Sequence, residues 1–210
     1  MDRNSERLFS WLANYLAKVN TDIMREASNL KGHFLIAMPS LGDPNFSKTV
    51  TYLCDHNEEG AMGLVINRPL DLEFASLLEH LDISDTRREH DYVPIYQGGP
   101  VQTERGFVLH QGIGQWEATM PVAPDIGVTL SQDIIEAIAL EQGPKQYLII
   151  LGYAGWGPGQ LEMELAQNSW LNGPADPSII FDTPIEQRWT ASASHLGVEL
   201  KNLSSDIGHA

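Results

Sequence analysis

The chain has 210 residues, 42% of them hydrophobic, with 18 Gly and 12 Pro. That is enough to bury a substantial core in one large domain with well-marked turns. Its 28 acidic against 13 basic residues leave a net charge of −15, which disfavours direct nucleic-acid binding, an affinity that depends on lysines and arginines displacing counterions.

The basic residues are scattered, and their closest pair, Arg87 and Arg88, is flanked by Asp82, Asp85, Glu89 and Asp91. A single cysteine, Cys54, excludes an intrachain disulfide and a Cys-rich zinc site. No apolar run approaches the roughly 20 residues of a membrane helix. Asn14 and Lys18 interrupt the apolar residues at the start of the chain, so no signal-peptide pattern forms there. A cytoplasmic protein with no membrane contact is expected.

In chain order, Leu8, Leu12, Tyr15, Leu16 and Val19 recur at helical spacing. They predict an amphipathic helix in an N-terminal extension (1–28), ahead of a domain over 29–200 and a polar tail over 201–210. Its apolar face is expected to pack on a second copy of the chain, making a homo-oligomer. "HFLIAM" reads as a strand. "TVTYLCDH" alternates and predicts a second strand, joined through "NEEG" to an antiparallel neighbour in "AMGLVINRP". Phe74, Leu77, Leu78 and Leu81 mark a short helix, and "VPIYQGGPV" and "RGFVLHQ" two more strands about a Gly-Gly-Pro turn. A loose stretch with Pro121 and Pro124 precedes the helix "SQDIIEAIALEQGP", started by Ser131 and ended by Gly143 and Pro144.

"QYLIILGY" is a continuous apolar run, as in a strand covered on both faces. A glycine loop over 152–159 and a helix through Trp170 follow, then a strand "SIIFD". Thr183 and Glu186 suggest a capping box for a last helix closed by Gly197. Strands outnumber helices, and hairpins mix with crossovers, so the fold class is α+β on a mixed sheet.

Strand, glycine loop, helix is the layout of phosphate-binding loops, but "GYAGWGPGQLEMEL" argues against one. Pro158 lacks an N–H, Glu162 and Glu164 already answer the helix dipole, and the loop has no lysine. The glycines are read as supplying positive φ and room for Trp156 to lie on the sheet, leaving Gly155, Trp156 and Gly157 as a surface for a neutral or cationic ligand. No cofactor is implied.

Cys54 and His56, two apart on a strand, are expected on one face, about 7 Å apart. They form the basis of an alternative function as a thiol enzyme or redox sensor, against the plain reading of a buried apolar cysteine and a strand-end histidine. His33, His110 and Asp55 lack the compact spacing of a metal site, so no metal is expected. Asn67 and Arg68, and Gly98 and Gly99 with Arg105, place polar groups at strand ends, where they meet either a ligand or the chain's own carboxylates.

"KGHFLIAMPSLGDPNFSKTVTYLCDHNEEGAMGLVINRP", "YQGGPVQTERGFVLH" and "ILGYAGWGPGQLEMELAQNSWL" together resemble the AlgH/YqgE family of bacterial proteins, also called UPF0301. The likeness spans 29–197. It implies a single α+β domain with a branched sheet curled into a pseudo-barrel and flanking helices. It implies no established reaction, cofactor or catalytic residue, and a proposed role as a transcriptional regulator linked to alginate production. No helix-turn-helix pattern is present, so that role is expected to be indirect, carried by a non-enzymatic binding protein through an unidentified protein or small ligand. The matching motifs nominate Cys54, His56, Asn67, Arg68, Gly98, Gly99, Arg105, His110, Gly155, Trp156 and Gly157 as a surface.

Overall fold

The computed structural model describes residues 29–83 and 93–200. The expected N-terminal helix, the Arg87 and Arg88 pair and the polar tail lie outside the described residues.

The strands are β1 (His33–Ala37), β2 (Val50–Asn57), β3 (Gly60–Val65), β4 (Ile95–Gln97), β5 (Val101–Gln111), β6 (Thr119–Ala123), β7 (Ile126–Thr129), β8 (Tyr147–Trp156) and β9 (Trp170–Pro174). The helices are α1 (Phe74–His80), α2 (Asp133–Ala139), α3 (Gln160–Ala166), α4 (Pro177–Phe181) and α5 (Arg188–His195). One nine-stranded sheet runs β6-β7-β5-β8-β3-β2-β1-β9, with β4 also on β8. It curls into a half-barrel with helices around it, an α+β fold.

The branch is at β8. One edge pairs with β5; the other pairs in parallel with β4 at Ile149 to Leu151, then antiparallel with β3 at Ala154 to Trp156. Where β4 leaves and β3 arrives, Gly98 and Gly99 lie flat on the β8 backbone. A Cβ on Gly98 would stand 2.3 Å from Gly152 O, and one on Gly99 would stand 2.2 Å from Tyr153 C. Only glycine fits either position, and this is the physical reason for the Gly-Gly-Pro sequence.

Each face of the sheet has its own core. Inside the half-barrel, Phe34, Tyr52, Cys54, Leu64, Phe107, Leu109 and Ile150 pack with Ile179, Ile180 and Ala193 of α4 and α5. On the outer face, Val108 and Ile149 pack with Phe74, Leu78, Ile134 and Ile138 of α1 and α2. Burial on both faces explains the uninterrupted apolar run at the start of β8.

Several elements differ from the sequence expectation. The loose stretch with Pro121 and Pro124 is the hairpin β6–β7, and Pro121 is tolerated because β6 is the sheet edge. β8 continues through Gly152 and Gly155 to Trp156, leaving only 157–159 as a turn, so the expected glycine loop is largely strand. Trp170 does not end a helix but opens β9, which pairs with β1. "SIIFD" is helical: Asp176 caps α4 by accepting from Ser178 N, with Pro177 in the first turn.

The capping box does not form. Thr183 donates to Ser178 O, and a 3-10 turn at Ile185–Gln187 leads into α5. Ser131 does not cap α2 but donates to Asp133 and accepts from Ala118 N. Gly197 does close α5, with φ of 74° and Val198 N bonding back to Ala193 O.

A cavity at the barrel mouth

Three irregularities in the sheet meet at one end of the half-barrel. The first is in β2. Leu53 lies opposite Gly63 but Asp55 lies opposite Met62, so Cys54 is an extra residue, a β-bulge. Cys54 packs inside with Tyr52; beyond the bulge the alternation is out of phase by one residue. Asp55 joins Met62 at the inner face, and His56, opposite Ala61, goes outward.

The second irregularity is Gly152 in β8, at φ of 72°. Leu148 and Ile150 point inward while Leu151 packs outside; after Gly152, Tyr153 points inward again. The third lies directly opposite. Val101 pairs with Tyr153 and Gly106 with Leu151, so four residues of β5, Gln102 to Arg105, span the single position of Gly152. Gln102 itself holds φ of 48°, a strained conformation for a residue with a side chain.

The result is an open cavity of about 510 Å³. Met62, Val101, Phe107, Leu130 and Tyr153 form its apolar walls, and Asp55, Asn57, Glu59 and Arg105 its polar ones, with Gly155 and Trp156 at the end of β8. Arg105 lies over the Phe107 ring, 5.6 Å from its centroid, and donates to Gln102 Oε1 at 3.1 Å. Tyr153 meets Phe107 edge-on. The Asp55 oxygens accept from His56 N and from the Asn57 amide, both neutral donors.

On the outer face, α3 lies over the row of His56, Ala61 and Trp156. His56 Nε2 is 2.8 Å from Glu162 Oε1. Glu162 titrates below the ordinary carboxylate range, held down first by its own backbone N–H and then by His56. One oxygen of Glu164 accepts from both indoles, Trp156 Nε1 at 2.9 Å and Trp170 Nε1 at 2.8 Å, while Gln160 donates to the other. Phe46 stacks on Trp156 and meets Trp170 edge-on. Thus Glu162 fastens α3 to β2 through His56, and Glu164 fastens it to the end of β8 and the start of β9 through the two indoles.

The structure separates the candidate residues named from sequence. The bulge places Cys54 and His56 on opposite faces rather than together, and Cys54 is 0% exposed, with burial pushing its thiol pKa well up. Asn67 bridges backbone groups, accepting from Val50 N and donating to Lys48 O. Arg68 donates to Ser47 O, and burial lowers its pKa against the opposing pull of Asp43. Gly98 and Gly99 serve the sheet branch. His110 is fully buried between Gly112 O and the Thr129 hydroxyl, and burial lowers its pKa. Gly157 donates its N–H to Gln160 in the turn before α3. Of the nominated residues, Arg105, Gly155 and Trp156 line the cavity.

Met62, Val101 and Leu130 lie outside the motifs nominated from sequence, and Asp55, Phe107 and Tyr153 lie within the spans 54–56, 105–110 and 152–159 without being singled out. Nothing in strict strand alternation announces the bulge that turns Asp55 inward. Gly152 was the available signal, because a glycine inside an apolar strand marks an irregularity. Among the described residues, no group of three or more His, Cys, Asp or Glu could hold a metal ion, and no helix is long and apolar enough to cross a membrane.

The AlgH-like family model matches residues 34–201. A UPF0301 protein of Nitrosococcus oceani is 53% identical over 187 residues, covering 89% of this chain and 100% of its own. One of Thioalkalivibrio sulfidiphilus is 54% identical over the same length and coverage. The solution structure of the AlgH protein from Pseudomonas aeruginosa is 52% identical, with a TM-score of 0.73 over 87% of this chain and 97% of that one. A crystal structure of a Corynebacterium diphtheriae protein shares the fold at a TM-score of 0.66 and 19% identity, covering 84% of this chain and 92% of that one. With the family model spanning nearly all of the described sheet and these relatives matched over most of their length, the chain belongs to the AlgH-like, UPF0301 family.

Proposed function

We propose that the protein is a cytosolic, non-enzymatic binding protein whose barrel-mouth cavity takes a ligand, and that any effect on transcription is indirect. What supports this is the convergence of the Cys54 bulge, the Gly152 flip and the Gln102 to Arg105 excursion on one cavity. Each departs from regular pairing, and each turns a side chain into the same space. Sheet irregularities of this kind recur beside binding sites because they re-aim side chains. The alternative thiol chemistry draws no support from Cys54, which is enclosed in the core with a raised pKa. The charge of −15 favours a route to transcription other than operator contact.

The test is affinity capture of metabolites and proteins from cell extract by the full chain and by Met62→Arg, which places a long side chain in the cavity. Circular dichroism and thermal melting confirm that the variant folds. A species held by the wild type and lost by Met62→Arg is expected. Identical capture by both refutes the cavity as the functional site. A mobility shift of DNA at low salt would refute the indirect route.

A further inference from the structure

Resting on that reading, we infer that the cavity selects a small organic carboxylate with an apolar or aromatic body, its carboxylate on Arg105 and its body against Phe107, Tyr153 and Met62.

Among the described residues, Arg105 is the only lysine or arginine lining this cavity. Its guanidinium is held over Phe107 and by Gln102 Oε1, a neutral acceptor, leaving further N–H groups of the fork uncommitted. In a chain with 28 acidic and 13 basic residues, a positioned arginine bonded to an amide and not to a carboxylate is a feature that needs an explanation. The backbone strain at Gln102 is part of the same device: the residue in the left-handed region is the one whose side chain fixes the arginine. A guanidinium fork matches a carboxylate in two parallel hydrogen bonds.

The other polar wall narrows the class. Asp55 and Glu59 line the same cavity, and would oppose a phosphate dianion more than a monoanionic carboxylate. Among the described residues, no second cation lines the cavity to share a phosphate's charge. The apolar wall is aromatic and sulfur-bearing, which favours an unsaturated or branched body over a sugar.

The experiment titrates the full chain, carrying 13C-methyl methionine, with four probes of one shape: 3-phenylpropanoate, its primary amide, 2-phenylethylphosphonate and 3-phenylpropylamine. The Met62 methyl shift reads occupancy, and Met62→Leu assigns that signal. The carboxylate is expected to bind best, with the amide about tenfold weaker or worse. Arg105→Ala should cost the carboxylate a similar factor and leave the amide unchanged, and Arg105→Lys should recover part of the loss. Arg105 is exposed, so these variants leave the core intact. Equal binding of acid and amide overturns the assignment, as does tighter binding of the phosphonate or the amine. If those probes still move the Met62 methyl, the cavity stands as a ligand site and only its charge preference falls. If no probe moves it, the carboxylate assignment fails, and the capture experiment alone decides the broader reading.

Discussion

Glu164→Leu removes the common acceptor of two buried indoles while nearly preserving side-chain volume. Trp156 and Trp170 are 6% and 5% exposed, so neither N–H regains full hydration when its acceptor is lost. Leaving a buried donor unsatisfied costs roughly 1–3 kcal/mol, more when the lost acceptor was charged. Glu164 is half-buried, so the lower half of that range applies to each bond. Two bonds give a loss of about 2–4 kcal/mol. For a chain of this size that corresponds to a fall in Tm of about 5–15 °C.

The assay is urea and thermal unfolding followed by tryptophan emission. Glu164→Gln keeps an accepting oxygen without the charge and should lose about half as much. In a double-mutant cycle with Trp170→Phe, the two changes should couple by about 1–2 kcal/mol, because they remove the same bond. Glu164→Leu within about 0.5 kcal/mol of wild type, with an unchanged emission spectrum, refutes the reasoning. The consequence reaches the cavity as well, since Gly155 and Trp156 form its edge and α3 is fastened there through this carboxylate.

Cys54 should resist iodoacetamide in the native protein, reacting at least ~100-fold more slowly than in urea, because the thiol is enclosed and its thiolate disfavoured; complete native labelling within minutes refutes this. The His110 pKa is lowered in the fold, so the unfolded chain binds the proton more readily. Stability is therefore full above the ordinary histidine value of 6.5 and declines as pH falls below it. His110→Gln should flatten part of that slope in urea titrations between about pH 7 and 5, the remainder belonging to groups such as His33, whose pKa is also lowered by burial; an unaltered slope refutes the assignment. Gly99→Ala should cost at least about 3 kcal/mol or prevent folding, while Gly106→Ala, with nothing within 4 Å of its added methyl, should stay within about 1 kcal/mol. Equal stability of the two variants in urea unfolding would remove the branch-point argument.

The elements best read from sequence are those in which local pattern and tertiary environment agree. β1, the β2–β3 hairpin, α1 and the start of β8 are each a run of apolar residues with the period of its element, bounded by turn residues. The misreadings fall where a short segment fits two states. "SIIFD" is apolar enough for a strand, but Asp176 and Pro177 are an N-cap and a first helical residue, and that signal outranked the run. Pro121 argued against a strand only if the strand were central, and edge position is a property of the sheet, invisible in the segment.

The cavity was less legible than the fold for a related reason. Strand alternation assigns faces by counting in twos, and a count fails at every extra or inverted residue. Cys54 is such a residue in β2 and Gly152 in β8, so the same parity that placed Val50 and Tyr52 correctly sent His56 to the wrong face. The bulge is a property of the pair of strands: β3 supplies one residue fewer than β2 over the same span, and neither strand announces it alone. A binding site built from broken parity is hidden from periodicity, because its side chains face inward only by violating the period. The two irregular strands also constrain each other. The Gln102 to Arg105 excursion needs a partner position that turns without a side chain, and Gly152 supplies it. A Cβ there would lie 2.8 Å from Gly99 O and 3.1 Å from Thr103 Cα. Displacing that contact would move the excursion, and with it Arg105, so the cation's place in the cavity is set by a glycine on the neighbouring strand.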